Sequence, residues 1–438
     1  MDQPVTIAVI GTGYVGLTTG ACFAHLGHHV ICADVDVHKI ERLDAGEMPI
    51  VEEGLAEIVA EARAAGRLEF VVGAATASDR ADIVFLCVPT PQSDDGSADL
   101  SYIERAAAEI GPSLRSGAVV VNKSTVPVGS TRVVERVIRR DDVAVVSNPE
   151  FLREGTAVHD FLHPDRVVIG SVHRAAAERV AALYDGVDTE MVITDPASAE
   201  TIKYAANGFL AMKISFVNAI AAMCEAVGAD VASVVHGIGT DRRIGSAFLN
   251  PGPGWGGSCF PKDSRALVKI AQEHGYNFTM MRGVIDVNDE QRSRMIHKVV
   301  RALGGHDRHV LHGATIGVLG LTFKAGTDDL RDSPALAIIS ELRRAGAAVK
   351  AYDPTTVPPV EHHRSSVLDG IELCATAIEA LTGVEVALVL TEWPEFRELD
   401  LAKASEVMDG TVVVDTRNLL EPAAVAAAGL AYDGVGRK

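Results

Sequence analysis

The feature that most constrains this chain is the turn after its first apolar run. Residues 5–10 read VTIAVI, and Gly11-Thr12-Gly13-Tyr14-Val15-Gly16 follows before a helix-compatible stretch through Leu26. A strand, a glycine turn and a helix in that order place a phosphate on the helix N-terminus, with glycine where backbone must approach it closely. The glycine pattern alone is weak, since an ordinary tight turn can contain it. It gains weight from HVICADVD, a second strand whose end carries Asp34, about where a carboxylate would hold ribose hydroxyls. The turn therefore predicts a dinucleotide site. An acid at Asp34 would repel a 2′-phosphate and so favours NAD over NADP.

Further apolar runs at 83–88, 118–121 and 143–147 alternate with helix-like stretches, which predicts a parallel sheet covered on both faces. Val88-Pro89-Thr90-Pro91 and Lys123-Ser124-Thr125-Val126-Pro127 fall at strand ends, where ligands bind in open α/β sheets. Pro89 and Pro91 read equally well as loop punctuation. Residues 198–227 form one long helical pattern, preceded by the cap-like Thr194-Asp195-Pro196 and closed near Gly228. Lys203 and Asn207, four apart on it, share a face. A second alternation occupies 314–320, 349–353, 384–390 and 412–415. The expected architecture is α/β, with two doubly wound Rossmann-like domains joined by a helical central region containing one long helix. The expected bounds are 1–195, 196–305 and 306–438.

Composition excludes several classes of function. With 438 residues and 47% hydrophobic content, the chain can bury more than one core. A net charge of −19 with no basic run argues against nucleic acid or an anionic membrane surface as partner. The six cysteines, Cys22, Cys32, Cys87, Cys224, Cys259 and Cys374, are dispersed and lack CxxC pairing, which fits a reducing, cytoplasmic setting. The N-terminus lacks the basic start and long apolar core of a signal peptide. Asn207, Lys213, Asn218 and Glu225 interrupt the most apolar segment, 205–227, so a buried helix of a soluble protein is expected there. His159 and His163 have i, i+4 spacing, but no glutamate follows the first and Pro164 ends the segment, while His362-His363 reads as a loop dipeptide. No metal is expected.

The oddest stretch is 251–263, PGPGWGGSCFPKD. Four glycines and three prolines read as loop rather than helix or central strand, yet Cys259, Lys262 and Asp263 fall within five positions. A lone cysteine is ordinarily an inert small core residue, and the other five are read that way. Cys259, flanked by glycines and a lysine–aspartate pair, is read as reactive.

Taken together, the motifs resemble those of the UDP-glucose 6-dehydrogenase family, and the resemblance runs from the first strand to Arg417. It rests on GTGYVG, on STVPVG at 124–129, on SNPEFLREGTA at 147–157, on Lys203 and Asn207 in KYAAN, on GGSCFPKD, and on GLTFKAGTDDLRDSP at 320–334. The resemblance implies oxidation of a primary alcohol at sugar carbon six to a carboxylate, with two NAD molecules used in succession. It implies catalytic roles for Cys259, Lys203, Asp263, Asn207, Glu150 and Thr125. NAD contacts are implied for Gly11, Gly13, Tyr14, Val15, Gly16, Asp34, Lys39, Thr90, Thr125, Glu154 and Arg331. UDP-glucose contacts are implied for Glu150, Phe151, Leu152, Lys203, Asn207, Arg243, Asn250, Gly256, Lys324 and Arg417. A dimer or higher homo-oligomer is expected, with the apolar long helices pairing.

Elementary chemistry agrees with that reading. Oxidising an alcohol to an aldehyde needs a hydride acceptor and a base, but going on to the acid requires a nucleophile to add to the aldehyde carbon. A thiolate at Cys259 supplies one, and glycine amides and a cation such as Lys203 would favour its ionised form. Asp263 is the natural base, and Lys203 with Asn207 would hold the developing oxyanion. An ordinary lysine would be solvated, whereas Lys203 lies among Tyr204, Ala205, Ala206 and Phe209, where an unpaired ammonium is costly. Glu150 and Glu154 also read as two exposed helix carboxylates. Three alternatives stay open: a sister enzyme acting on GDP-mannose or a UDP-N-acetylhexosamine, an NAD-sensing protein without turnover, and a simple hydroxyacid dehydrogenase, which would leave Cys259 unexplained.

Overall fold

The β-branched run before the glycine turn folds as expected into β1 (Thr6–Ile10), followed by the helix Tyr14–His25 and by β2 (His29–Asp34). The computed structural model describes residues 4–93, 96–356 and 366–437, so His362-His363 lies outside the described residues. Six more strands complete the first sheet: β3 (Leu68–Val72), β4 (Ile83–Leu86), β5 (Val119–Asn122), β6 (Ala144–Ser147), β7 (Arg166–Gly170) and β8 (Glu190–Thr194). Their order is β3-β2-β1-β4-β5-β6-β7-β8. Every neighbouring pair is parallel except β6–β7, which is antiparallel with Ser147 opposite Gly170.

Alternation along the buried strands separates two cores. Ile7, Val9, Phe85 and Val121 face one side, and Ala8, Ile10, Val84, Leu86 and Val120 face the other. Each fully buried side chain of this size contributes about 1.5–3 kcal/mol relative to exposure. The strand order reverses between β1 and β4, which is where open α/β sheets bind ligands.

The second sheet repeats the scheme. It contains β9 (Thr315–Leu319), β10 (Ala348–Tyr352), β11 (Glu372–Leu373), β12 (Val386–Val389), β13 (Val412–Asp415) and β14 (Ala431–Gly434), in the order β11-β10-β9-β12-β13-β14 and all parallel. By internal contacts the chain forms two compact units. One comprises Met1–Ala206 with Arg265–Tyr276, and the other Asn207–Ser264 with Asn277–Lys438.

The long helix Pro196–Val227 runs through that boundary. Asp195 caps it, as the sequence suggested: its carboxylate accepts from Ser198 N at 2.9 Å and Ser198 Oγ at 2.6 Å. Such a cap contributes about 1 kcal/mol. The helix is long and apolar enough to cross a membrane by length and composition. Its polar residues, however, are engaged with protein: Lys203, Asn207, Ser215 and Asn218 are all buried and all hydrogen-bonded.

Two expectations change. The long helix is not buried all round: Phe209, Phe216 and Met223 are 58%, 52% and 52% exposed. Residues 251–263 are not loop to the end, because Phe260–Glu273 is a helix. Pro261 falls in its first turn, where the missing N–H would have had no intrahelical acceptor.

Candidate active site

The glycine turn meets the geometric demands of a dinucleotide. Gly11 has φ +98°, and a Cβ there would lie 2.7 Å from the Cys87 carbonyl oxygen. A Cβ at Gly13, the N-cap of the first helix, would meet nothing within 4 Å, leaving open space over the first-turn amides. Asp34 stands at the end of β2. Its Oδ2 accepts from Thr12 N at 2.9 Å, Thr12 Oγ1 at 2.7 Å and Lys39 Nζ at 3.0 Å, and its Oδ1 accepts from Asp36 N at 3.1 Å. Burial works against ionisation, but the donors from Thr12, Asp36 and Lys39 outweigh it and hold the carboxyl at about 2. The acid is therefore charged at neutral pH, with a cation against it.

The corresponding acid of the second sheet behaves differently. Asp353, just past β10, is fully buried. Its Oδ2 accepts from Leu321 N at 2.7 Å, Thr322 N at 3.1 Å and Trp393 Nε1 at 3.2 Å, and its Oδ1 from Thr355 N at 3.0 Å and Thr355 Oγ1 at 2.7 Å. Both Asp353 oxygens accept at least two protein hydrogen bonds, whereas Asp34 Oδ1 accepts one and keeps room for a ribose hydroxyl. Of the two Rossmann-like sheets, only the first presents the dinucleotide arrangement.

Behind the glycine turn, Tyr14 donates from its hydroxyl to Glu52 Oε2. The same carboxylate accepts from Gly155 N at 2.7 Å and Ala157 N at 2.6 Å. Burial, and then the Glu52 hydrogen bond, push the Tyr14 phenol up. Glu52 thus ties the first helix to the 153–157 segment. No local pattern marks it, because its partners lie 38 to 105 residues away.

Beyond β6 the chain carries Glu150 and Glu154 on irregular backbone, not on a helix. Glu150 is buried; its Oε1 accepts from Lys203 Nζ at 2.9 Å and its Oε2 from Leu152 N at 2.6 Å. Burial opposes its ionisation, but the Lys203 ammonium, aided by Lys123, holds the carboxyl below the usual range. The Phe151 ring lies 5.3 Å from Lys203 Nζ and 3.7 Å from the Arg166 guanidinium carbon. Arg166 opens β7, which pairs antiparallel with β6 through Ser147 opposite Gly170. Lys123 itself is buried and donates to Asn148 Oδ1 at 3.0 Å and Tyr184 Oη at 3.1 Å. Thr90 and Thr125 are both buried at strand ends of this unit.

In the second unit, Cys259 caps the helix Phe260–Glu273: its carbonyl accepts the first intrahelical bond, from Asp263 N at 3.0 Å. Pro261, in the first turn, has no N–H to leave unsatisfied there. The N-terminal end of a helix dipole favours negative charge, and Cys259 stands at that end. Cys259 is also the half-buried one of six free cysteines; the others are buried. Burial pushes the Cys87 thiol to about 12 and raises Cys22 and Cys32 further, which keeps them inert.

Asp263, one turn on, is buried. Its Oδ2 accepts from Asn207 Nδ2 at 2.6 Å and its Oδ1 from Lys262 Nζ at 2.6 Å. The loop leading to Cys259 is held by amide side chains from two helices. Asn218 Oδ1 takes Gly252 N at 2.8 Å, and Gln291 Nε2 donates to Gly252 O at 2.7 Å. Asn288 Oδ1 takes Trp255 N at 2.7 Å, and Trp255 Nε1 donates to Ser215 Oγ at 2.9 Å. These polar residues inside apolar helix faces are the signal of a supported loop; of them the sequence alone draws attention to Asn218, as an interruption of an apolar helix. Gly256 has a steric reason: a Cβ there would run into Asp332 O and lie 2.7 Å from Pro334 Cδ.

The remaining basic residues are distributed more widely. Arg417 donates to Leu390 O at 2.8 Å and Phe323 O at 3.0 Å and pairs with Glu392. Lys324 Nζ is 5.7 Å from the Phe323 ring centre. Arg331 forms a two-armed pair with Asp329, and Arg243 does so with Asp241; both arginines are exposed. Asn250 is exposed. Among the described residues, no group of three metal-ligating side chains occurs.

Residues 5–188 match the NAD binding domain of the UDP-glucose/GDP-mannose dehydrogenase family, 197–290 its central domain and 317–422 its UDP binding domain. The chain belongs to the UDP-glucose/GDP-mannose dehydrogenase family. It is an NAD-dependent oxidoreductase, and the open glycine cradle and Asp34 fit that cofactor. Among members of the family, the UDP-glucose 6-dehydrogenase of Rhizobium meliloti is 46% identical over 98% of this chain and 99% of its own. The UDP-glucose 6-dehydrogenase TuaD of Bacillus subtilis is 45% identical over 98% and 93%. The solved UDP-glucose dehydrogenase of Pyrobaculum islandicum superposes with a TM-score of 0.90 at 37% identity, covering 100% of this chain and 98% of its own. A UDP-D-ManNAc dehydrogenase of Pyrococcus horikoshii gives 0.86 at 27% identity, with 99% of each chain covered.

Proposed function

We propose that this chain oxidises UDP-glucose to UDP-glucuronate, passing four electrons to two NAD molecules through a covalent intermediate on Cys259. The observation that carries the reading is Cys259 at the N-terminus of a helix, with Asp263 one turn later and held by Asn207. A simple alcohol dehydrogenase has no use for that thiol. The 45–46% identity to UDP-glucose 6-dehydrogenases over nearly the whole chain supports glucose as the sugar.

Bound NAD would supply the hydride acceptor for each oxidation, with NADH exchanged for a second NAD between the two. Asp263, directly or through water, takes the hydroxyl proton as the carbon-six C–H bond gives up hydride, forming the aldehyde. The Cys259 thiolate adds to the aldehyde carbon, making a C–S bond, and the resulting oxyanion is held by Lys203 and Asn207. Loss of a second hydride from that carbon leaves a thioester. Water, oriented by Glu150 and Thr125, forms the new C–O bond as C–S breaks, releasing the carboxylate and restoring the thiol. Lys324, Arg417, Arg243, Phe151, Leu152, Asn250 and Gly256 are assigned to the sugar nucleotide, and Lys39, Thr90, Glu154 and Arg331 to NAD. An anionic substrate on a chain of net charge −19 needs such local cations.

The division 1–195, 196–305 and 306–438 is our reading of the domains, supported by family segments starting at 5, 197 and 317. We infer a homodimer joined through the exposed face of the long helix, where Phe209, Phe216 and Met223 recur every seven residues. Six free thiols support a cytoplasmic setting.

The deciding assay supplies purified protein with NAD and, separately, UDP-glucose, UDP-N-acetylglucosamine, UDP-N-acetylmannosamine and GDP-mannose. Two NADH per UDP-glucose is the expected result. A clear preference for another sugar nucleotide would move the assignment to a sister enzyme, and one NADH per sugar would refute the covalent route.

A further inference from the structure

The helix Ser130–Ile138 follows the STVPVG loop, and its N-cap is Gly129, at φ +96°. Glycine has no side chain with which to satisfy the first amides of a helix. The cap comes instead from the long helix: Glu200 Oε2 accepts from Gly129 N at 2.6 Å, and Oε1 accepts from Thr131 N at 3.0 Å and Thr131 Oγ1 at 2.8 Å. Glu200 is 2% exposed, and burial raises its carboxyl above the ordinary range despite these donors.

A serine or aspartate at the cap position would ordinarily satisfy the Thr131 amide locally. A buried carboxylate reaching from a helix some seventy residues away does something more: it fixes the loop to that helix. Glu200 lies three residues before Lys203, on the same face and about 4.5 Å along the axis. Lys203 in turn is ion-paired to Glu150. Adjacent turns of one helix therefore tie down two separate loops, one bearing Thr125 and the other Glu150. The rest of the Thr125 loop is pinned at its base, where Ser124 Oγ donates to Val88 O at 2.6 Å, and at Pro127 O, which accepts from Ser130 Oγ at 2.7 Å.

We propose that Glu200 is a positioning residue for thioester hydrolysis, setting the Thr125 loop in register with the Glu150–Lys203 pair. The inference rests on the function proposed above. Hydrolysis is the step most sensitive to this register, because it alone needs Thr125 and Glu150 to orient one water together.

The test uses Glu200→Gln, which keeps one acceptor but turns an NH2 toward a backbone donor, and Thr131→Val, which removes only the hydroxyl arm. In the first turnover each variant should release two NADH per active site at near wild-type rate. Steady-state turnover should then fall, by about 10- to 100-fold for the glutamine variant and less for the valine variant. KM for NAD and UDP-glucose should stay within about threefold. Intact-mass spectrometry should find a uronyl adduct on Cys259 in the variants that wild type does not accumulate. A merely structural cap would instead slow the burst and the steady state alike, or change only thermal stability, and either result overturns the proposal. If the glutamine variant does not fold, wild-type kinetics in the valine variant would do so. A wild-type enzyme giving no NADH from UDP-glucose would overturn the functional reading, and this inference with it; a wild type giving two NADH alongside variants without a burst strikes the Glu200 role alone.

Discussion

Lys203 and Glu150 form an ion pair at 2.9 Å with side chains only 4% and 5% exposed. Breaking such a pair from one side leaves an uncompensated buried charge, which typically costs about 3–5 kcal/mol. Lys203→Ala should therefore lower both stability and turnover, and activity alone would not separate the two. The double variant Lys203→Met, Glu150→Gln should recover much of the lost melting temperature while remaining at least about 100-fold slower than wild type. Recovery of turnover along with stability would remove both residues from the catalytic list.

Replacement of Cys259 separates binding from chemistry. Cys259→Ala should fold and bind NAD and UDP-glucose normally, since the loop before it is held by Asn218, Asn288 and Gln291. It should make no UDP-glucuronate. Cys259→Ser should be slow and trap an oxygen ester, visible by mass. Two NADH per sugar at near wild-type rate from the alanine variant would refute the covalent route.

Cofactor choice should follow Asp34 and its neighbour. The unmodified protein should prefer NAD. Asp34→Asn should narrow the preference, whereas Lys39→Ala, which strips the counter-charge at 3.0 Å, should widen it. The Asp34 carboxyl is depressed to about 2, so its contribution to stability is present above the ordinary aspartate range and is lost as pH falls through about 2. Above the titration of the 2′-phosphate itself, near pH 6, the NAD/NADP ratio should therefore be flat, from about pH 7.5 to 9. A steep change in that window, measured as the ratio of kcat/KM values, would mean another group sets the preference.

The exposed stripe on the long helix predicts an oligomer that a single charge can break. Phe216→Asp should shift the mass measured by light scattering from dimer to monomer at micromolar concentration. An unchanged mass would place the interface elsewhere.

Much of the fold was legible because strands buried on both faces are written as unbroken apolar runs. Residues 83–86 and 386–389 are fully buried and were read correctly. β3 and β8 were missed because their residues alternate or are only half buried, and β7 because it follows Pro164-Asp165 after a region read through its histidines. At the candidate site, residues in compact motifs could be found, whereas Glu52 and Glu200 could not. Each is a lone carboxylate in an unremarkable helix or loop, and its meaning lies in amides 69 to 105 residues distant. The helix at Phe260 was missed for another reason. Proline was counted as a breaker, although in a first turn it removes an N–H that no carbonyl was waiting for.

The long helix also works as an index. Glu200, Lys203 and Asn207 occupy one stripe about 10 Å long, and each engages a different piece of chain: Gly129 with Thr131, Glu150, and Asp263. Side-chain identity at these positions is only half of what is specified; the other half is the count of residues between them. One alanine inserted after Ala205 would leave helicity and composition nearly untouched yet swing Asn207 by about 100° off the stripe. This segment should therefore tolerate substitutions at its exposed positions far better than any change in length, and libraries built by insertion and deletion should find almost no active members between 200 and 207.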